Sequence, residues 1–119
     1  CIRDSPKMPS TLDAAILSKM AERGQIKGGI VDGPMALDLA ISKEAVKIKR
    51  FKSEVGGDAD ILILPNIECA NTFYKSVTKL AGGELAGVVY GASAPCILTS
   101  RADTDRSKHV SIALAALLS

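Results

Sequence analysis

The feature that most constrains the fold of this sequence is a continuous apolar run, Asp60-Ile-Leu-Ile-Leu-Pro65. Its apolar residues do not alternate with polar ones, which indicates a strand that is covered on both faces. Strands of this kind occur in parallel sheets that are flanked by helices. The run therefore predicts a layered α/β domain with a mainly parallel sheet.

Helices and further strands alternate along the chain on either side of this run. Residues with helical spacing or helix signals predict helices over 10–23, 35–41, 42–50, 66–81 and 103–118. Short apolar runs predict strands over 28–31, 85–90 and 94–98. Ser10 or Thr11 is expected to cap the first helix and Ser42 the third. Pro34 suits the first turn of the second helix.

Size, charge and composition exclude several classes of protein. With 119 residues the chain has the length of one ordinary domain. A net charge of +2 is too balanced to predict binding to nucleic acid or to a membrane surface. The longest apolar runs, such as 112–118, are far shorter than the roughly 20 residues of a membrane-spanning helix.

The cysteines and the histidine bear on compartment and chemistry. Three widely spaced cysteines without a CxxC motif predict free thiols in a reducing compartment, so we expect a cytoplasmic protein. Cys69 and Cys96 suit small buried positions. His109 is the only histidine, which argues against a histidine-based metal site and against a serine nucleophile with an imidazole base. The chain begins with Cys1 and not with methionine, which allows for its being a piece of a longer protein.

Polar and turn-forming clusters follow three of the predicted strands, at 32–34, 65–68 and 99–103. Ligands of parallel α/β sheets bind beyond the carboxyl ends of the strands, so these clusters are the candidate site. Ser100 and Arg101 stand directly before the last predicted helix, where free N–H groups and a guanidinium suit a phosphate, a carboxylate or an oxyanion. In the alternative, Asp103 or Thr104 caps that helix and Arg101 pairs with a surface carboxylate.

Two other positions have competing interpretations. Asp32 and Gly33 could bind a ligand, although a turn from strand to helix needs such residues by itself, and we favour the turn. Asn71, near the start of a helix, could equally bind a ligand or satisfy backbone groups. The residues themselves thus predict an anion-binding α/β domain and do not name a reaction.

Several motifs at these positions resemble one enzyme family, the phosphate acetyl/butyryltransferases, and most closely its butyryltransferase branch. The similarity runs from about Lys7 to the end of the chain, with the motifs in the same order. The motifs are Lys7-Met8-Pro9 with 12–15, 31–38, 57–62, 71–76 and Thr99-Ser100-Arg101-Ala102-Asp103.

The resemblance implies transfer of an acyl group between coenzyme A and inorganic phosphate, without a metal or other cofactor. Butanoyl-CoA and phosphate would give butanoyl phosphate and coenzyme A. It also implies α/β/α layers in an isocitrate/isopropylmalate dehydrogenase-like two-domain architecture, usually in a homo-oligomer. Residues 1–83 would form most of the second domain, and 84–119 would return to the first, near Gly82-Gly83. The N-terminal part of the enzyme would be absent, and self-association of this piece is expected.

The resemblance also assigns roles to individual residues. Ser100 and Arg101 match the serine and arginine of the active cleft, where the serine bonds the reacting thiol or carbonyl and the arginine stabilises negative charge. Lys79 stands where acetyltransferases carry an arginine associated with coenzyme A, and lysine keeps that charge without the planar fork. We predict that Lys79, together with Asn71, Asp32 and Gly33, binds substrate or coenzyme A.

The sequence departs from the acetyltransferase pattern at one position of mechanistic interest. That branch has an aspartate, proposed as the base for the thiol, where this chain has Ser107. Either another group accepts the proton, with Asp103 the nearest carboxylate, or the thiolate forms without a dedicated base.

Three alternatives to a butyryltransferase remain open at this point. The first is a phosphate acetyltransferase. The second is a non-catalytic acyl-CoA-binding or assembly module, like the related domains appended to some malic enzymes. The third, an isocitrate-type dehydrogenase, is disfavoured because the sequence lacks a Gly-x-Gly-x-x-Gly pattern.

Overall fold

The computed structural model describes residues 4–119 of the chain. They form two compact units, one that ends at Pro65 and one that comprises Asn66–Ser119. The predicted crossing near Gly82-Gly83 concerns the domains of a longer enzyme, so it stays a prediction.

The described part of the first unit contains the α-helices α1 (Pro9–Glu22), α2 (Leu37–Ile41) and α3 (Lys43–Ile48). Neither Ser10 nor Thr11 caps α1, because the helix begins at Pro9, whose ring already fixes a helical backbone angle. Gly24 ends this helix region with a positive φ of 74°, as its sequence position predicts.

The buried apolar side chains described for the first unit lie on the second helix, which contacts the third. Ser42 caps α3 as predicted, its hydroxyl accepting a hydrogen bond from the Ala45 N–H at 3.2 Å. Leu39 is 1% exposed and is the best buried large apolar side chain among the described residues of this unit. Two backbone bonds bring the segment after α3 onto α2, from the Gly57 N–H to the Leu39 carbonyl at 2.7 Å and from the Ala59 N–H to the Ala40 carbonyl at 3.1 Å.

Two predicted strands of the first unit are wrong. Neither 28–31 nor 60–65 belongs to a sheet in the structure. Ile61 and Ile63, expected to be covered on both faces, are 78% and 85% exposed. A strand exists only where another strand offers its backbone N–H and carbonyl groups, and residues 4–119 place no such partner beside these segments. The predicted place of Pro34 in the first turn of the second helix is also wrong, because α2 begins only at Leu37.

The second unit begins with the predicted helix over 66–81. It consists of α4 (Ile67–Lys75) and a π-helical turn, Ser76–Leu80. Asn66 caps α4 through its side-chain oxygen, which accepts from the Cys69 N–H at 2.9 Å. The helix is therefore confirmed, and its last turn is wider than a regular α-helix.

Two short strands and a closing helix follow: β1 (Val88–Val89), β2 (Cys96–Ile97) and α5 (Asp105–Leu117). The strands are antiparallel, with Val88 opposite Ile97, and within residues 4–119 they form the whole of the sheet. The prediction of a mainly parallel sheet is therefore wrong for this part of the chain. The strands predicted over 85–90 and 94–98 are confirmed in place, although each is only two residues long.

The last helix packs against both strands through a small and partly polar centre. Ser111 is fully buried, and Ala115 lies one turn further along the helix, also buried. The Ser111 hydroxyl accepts from the Gly87 N–H at 3.0 Å and donates to the Ser107 carbonyl at 2.6 Å. Among the helices described, none combines the length and the apolar character needed to cross a membrane.

Candidate active site

The turn between β2 and α5, residues 100–103, is the centre of the candidate site and lies in the second unit. Two hydrogen bonds close it. The Asp103 N–H donates to the Ser100 carbonyl at 3.0 Å, and the Ser100 N–H donates to Asp103 Oδ2 at 2.7 Å. The backbone of Ser100 is thus fixed on both its N–H and its carbonyl side by one residue.

Asp103 also ties this turn to α4. The Tyr74 hydroxyl donates to Asp103 Oδ1 at 2.6 Å. Of the two predicted caps of the last helix, Thr104 is confirmed, because it accepts from the Ser107 N–H at 3.2 Å, and Asp103 is wrong. Asp103 is therefore a link between two segments, and its two oxygens serve different partners.

These hydrogen bonds shift the proton affinities of both groups. The bond from Tyr74 and that from the Ser100 N–H, with the charges of Lys75 and Lys79, lower the pKa of Asp103. The same carboxylate raises the pKa of Tyr74, because ionising the phenol would lose the hydrogen bond and create a like charge. At neutral pH Asp103 is therefore an anion and Tyr74 a neutral donor.

Two lysines of the helical segment 67–80 reach the same turn. Lys75 Nζ donates to Ser100 Oγ at 3.3 Å and stands 4.2 Å from the centre of the Tyr74 ring, in a cation–π contact. Lys79 Nζ, one turn further along, donates to the Ala102 carbonyl at 3.3 Å. The site therefore has two cations beside the predicted Ser-Arg pair.

Lys75 is not among the site residues predicted from the sequence. The usable signal was its spacing, since Lys75 is four residues before Lys79 and four after Asn71, which places all three on one helix face. Asn71 itself is exposed on α4, and within residues 4–119 no hydrogen bond of its side chain is recorded. Its predicted part in binding substrate stays a prediction.

Arg101 is exposed at the tip of the turn. No ion pair or hydrogen bond of its guanidinium is recorded within the described part of the chain, so the predicted alternative of a surface ion pair is not found. One expectation is wrong, because α5 begins only at Asp105 and Ser100-Arg101 therefore do not lie at a helix start. Lysine side chains, and not helical N–H groups, supply the positive charge at Ser100.

Asp32 and Gly33 belong to the first unit and form a local turn there. Asp32 Oδ1 accepts from the Gly33 N–H at 2.8 Å, and the peptide bond from Gly33 to Pro34 is cis. A Cβ at Gly33 would lie 3.2 Å from the Ala14 side chain, so glycine suits this close approach to α1. These contacts explain both residues structurally and leave their predicted binding role a prediction.

The remaining candidate groups are accounted for by simple contacts. The Ser107 hydroxyl lies 3.1 Å from Thr104 Oγ1 in the cap of α5. Cys69 and Cys96 are free thiols as predicted, although both are exposed and not buried. Cys1 lies outside the described residues. Over residues 4–119 no three His, Cys, Asp or Glu side chains gather in a way that could hold a metal ion.

Comparison with known proteins gives one consistent result. The family model described as Phosphate acetyl/butaryl transferase matches residues 2–116. The chain is 57% identical over 114 residues to the phosphate butyryltransferase of Clostridium acetobutylicum, covering 96% of this chain and 38% of that protein. It is also 57% identical over 113 residues to the phosphate acetyltransferase of Thermotoga maritima, covering 95% of this chain and 38% of that protein.

A solved structure agrees with these sequence matches. The crystal structure of a branched-chain phosphotransacylase from Enterococcus faecalis V583 matches with a TM-score of 0.82 and 40% sequence identity, over 94% of this chain and 40% of that one. The likeness supports an α/β fold for the chain. This chain thus spans about two-fifths of the length of the relatives it matches.

Proposed function

This chain belongs to the phosphate acetyl/butaryl transferase family, and we propose that it is the C-terminal part of an enzyme that transfers a butanoyl group between coenzyme A and inorganic phosphate. The observation that carries the proposal is the arrangement around residues 100–103. An exposed Arg101 stands beside a Ser100 whose backbone is locked by Asp103. Lys75 and Lys79 add positive charge to the same turn.

This arrangement suits attack of a phosphate oxygen on the thioester carbonyl. A carbon–oxygen bond forms and the carbonyl oxygen becomes an oxyanion. The carbonyl then re-forms as the carbon–sulfur bond breaks, and the released coenzyme A thiolate takes up the proton that the attacking phosphate gives up. Three negative groups are stabilised on the way: phosphate, oxyanion and thiolate. Fixed cations and hydroxyl donors lower the energy of such charges without reorganising, and in many enzymes this stabilisation contributes more to the rate than any other effect. Arg101 binds phosphate or the oxyanion, and Ser100 donates to the reacting thiol or carbonyl.

Asp103 serves this site by position and not as its base. Both of its oxygens already accept hydrogen bonds, and these bonds lower its pKa. A carboxylate of lowered pKa is a poorer proton acceptor than an ordinary one. We therefore propose that, in the reverse direction, the attacking coenzyme A thiolate forms without a dedicated base, since a thiol with an ordinary pKa near 8.5 ionises more readily among cations. No metal ion or other cofactor takes part in this scheme.

The choice of butanoyl over acetyl rests on the sequence motif Ser100-Arg101-Ala102-Asp103, which resembles that of the butyryltransferase branch. The second candidate is acetyl transfer, because a butyryltransferase and an acetyltransferase match this chain at the same identity, 57%. The kcat/KM values for acetyl-, butanoyl- and branched acyl-CoA, measured side by side, decide between them. A preference for acetyl-CoA would replace the butanoyl assignment and leave the mechanism intact.

The architecture and partners of the complete protein follow from the same premise. We propose α/β/α layers in an isocitrate/isopropylmalate dehydrogenase-like arrangement of two domains, with 1–83 in the second domain and 84–119 returning to the first. An N-terminal part would complete the cleft, and the protein would be a cytoplasmic homo-oligomer. The alternative is a non-catalytic acyl-CoA-binding or assembly module.

Release of coenzyme A from butanoyl-CoA in the presence of phosphate tests the proposal. The complete protein that carries these residues should turn over, and Arg101→Ala should lower kcat/KM by about 100-fold or more, as loss of an oxyanion donor does. Arg106→Ala is the matched control, because within residues 4–119 that exposed arginine pairs with Glu84, and the activity of this variant should not change. Absence of turnover with each acyl-CoA, together with binding of coenzyme A, would support the non-catalytic alternative.

A further inference from the structure

Lys75 is held in one place by two contacts. Its ammonium group lies over the Tyr74 ring, 4.2 Å from the ring centre, and its Nζ is 3.3 Å from Ser100 Oγ. The side chain is half-buried, unlike the exposed Lys79 one turn away. Tyr74 is in turn fixed by its hydrogen bond to Asp103. Tyr74 therefore orients Lys75 toward Ser100, and Tyr74 is itself fixed by Asp103 of the same turn.

The contact with Lys75 determines the direction of the hydrogen bond at Ser100. An ammonium group has three donors and no acceptor, so the serine oxygen must accept from it. The backbone N–H and carbonyl of Ser100 are both engaged with Asp103. The serine hydroxyl hydrogen is the donor that remains, and in the described part of the chain no acceptor for it is recorded. It is therefore available to a bound molecule.

We propose that Lys75 is a positioning residue that acts through Ser100, holding its hydroxyl as a hydrogen-bond donor toward the thiol or carbonyl of the acyl-CoA. The proposal rests on the function proposed above, since it needs Ser100 in the acyl-transfer site. An ammonium that bonds the serine oxygen also draws electrons from it, which strengthens the remaining O–H as a donor. Removing that charge would let the hydroxyl turn away and would weaken it as a donor.

A double-mutant cycle in the complete protein tests the proposal. Lys75→Met keeps the length of the side chain and removes the charge, and it should lower kcat about tenfold, within the range of coupling between residues in contact. The KM values for phosphate and butanoyl-CoA should change by less than about twofold, because Lys75 does not itself bind either substrate in this scheme. In a Ser100→Ala background the same Lys75→Met change should alter kcat by less than about twofold.

Two further variants test whether the positive charge is what matters and whether the loss of kcat is specific to Lys75. Lys75→Arg keeps a donor-only cation that also stacks on aromatic rings, so it should recover most of the lost kcat. Lys108→Met is the matched control, because among the described residues that exposed lysine pairs with Asp105 of the same unit. It should leave kcat and KM unchanged. If Lys75→Met does not fold, as judged by its melting temperature, Lys75→Gln takes its place in the cycle.

Several results would overturn the proposal. Unchanged kcat in Lys75→Met, or an equal loss in the Ser100→Ala background, would show that the lysine does not act through the serine. A raised KM for phosphate at constant kcat would make Lys75 a phosphate ligand. An arginine variant as slow as the methionine variant would mean that charge is not what matters. If the unsubstituted protein shows no turnover, the proposed function fails, whereas normal turnover with any of these results removes only the role of Lys75.

Discussion

The two units of the molecule differ in the contacts that hold each of them together: both have polar side-chain contacts, but the ion pairs of the first unit, Lys43–Asp58 and Lys49–Asp38, are largely exposed. In the first unit, the segment after α3 meets α2 through backbone hydrogen bonds around the buried Leu39. In the second unit, polar side chains connect segments that are distant in sequence. These side chains are Tyr74, Lys75 and Lys79 from the helical segment 67–80, Asp103 from the turn and Ser111 from α5.

The difference bears on where chemistry can take place. A backbone contact beside an apolar side chain stabilises the fold and presents nothing that recognises a ligand. A set of polar side chains that bond one another can both stabilise the fold and recognise a ligand, because a ligand can bind the donors that are not used within the fold. The second unit has such leftover donors at Ser100 and Arg101. We therefore expect substitutions in the first unit to change stability most and those in the second to change activity most.

The largest effect on stability should come from the core of the first unit. Leu39→Ala should lower the free energy of unfolding by about 4 kcal/mol, because it removes a fully buried side chain and leaves a cavity. Leu37→Ala is the control on the same helix; Leu37 is half-exposed, and about 1 kcal/mol is expected. Urea unfolding followed by circular dichroism measures both. Equal losses would mean that Leu39 is not the centre of this unit.

The next largest loss of stability should come from Gly57, where the backbone lies close to that of Lys43 in the first unit. A Cβ at Gly57 would lie 2.6 Å from the Lys43 backbone nitrogen, and the φ of Gly57 is +75°. Gly57→Ala should therefore cost about 3 kcal/mol, the sum of a strained φ and a clash that backbone atoms cannot relieve. Gly24→Ala separates the two, since its φ is +74° with nothing within 4 Å, and about 1 kcal/mol is expected. Similar losses in the two variants would show that the contact with Lys43 adds nothing.

A smaller effect is expected at the polar centre of the second unit. Ser111→Ala leaves the Gly87 N–H without its partner and should cost about 2 kcal/mol, the usual penalty for an unsatisfied buried donor. Ser119→Ala removes an exposed bond to the Ala116 carbonyl, and its stability should stay within about 0.5 kcal/mol of the unsubstituted protein. If Ser111→Ala left the free energy of unfolding unchanged, the contrast between the two units would fail, because the second unit would then not depend on its polar side chains.

The helices of both units could be predicted from the sequence because their signals are local. Helical spacing and the caps at Ser42 and Gly24 depend on residues a few positions apart, and all three features are confirmed. The run 60–65 could not be placed correctly in the same way. Its apolar pattern describes an environment that the run is suited to, whereas a strand also needs a second backbone, which the pattern cannot supply.

The contacts around Ser100 and Arg101 could not be predicted from the sequence, and the catalytic role of these two residues stays a prediction. Ser100 and Arg101 followed from their chemical type and from a family resemblance. The partners of Asp103 did not, because a carboxylate in the turn after a strand predicts a helix cap as readily as a bridge to Tyr74. The contact of Lys75 with Ser100 could not be predicted for a related reason, since a lysine on an amphipathic helix usually faces solvent. Only the packing of α4 on the turn distinguishes these cases.

The smallest predicted effect concerns acid stability and contrasts one carboxylate from each unit. A hydrogen bond from Lys49, an exposed partner, lowers the pKa of Asp38 in the first unit. Hydrogen bonds from Tyr74 and from the Ser100 N–H lower that of Asp103. A lowered pKa means that each carboxylate stabilises the fold above the ordinary aspartate pKa of about 3.9, and that this contribution is lost as the pH falls through the lowered value.

Salt should separate these two contributions. The ion pair of Asp38 is screened at about 1 M salt, whereas the donors to Asp103 that matter most are a neutral hydroxyl and a backbone N–H, which salt hardly affects. We expect the melting temperatures of Asp38→Asn and of the unsubstituted protein to converge above about pH 4 when salt is added. Those of Asp103→Asn and of the unsubstituted protein should stay apart above that pH and converge only on acidification. If salt removed the Asp103 difference as well, the charges of Lys75 and Lys79 would be what holds the turn, and the second unit would be joined by ion pairs and not by a fixed hydrogen-bond network.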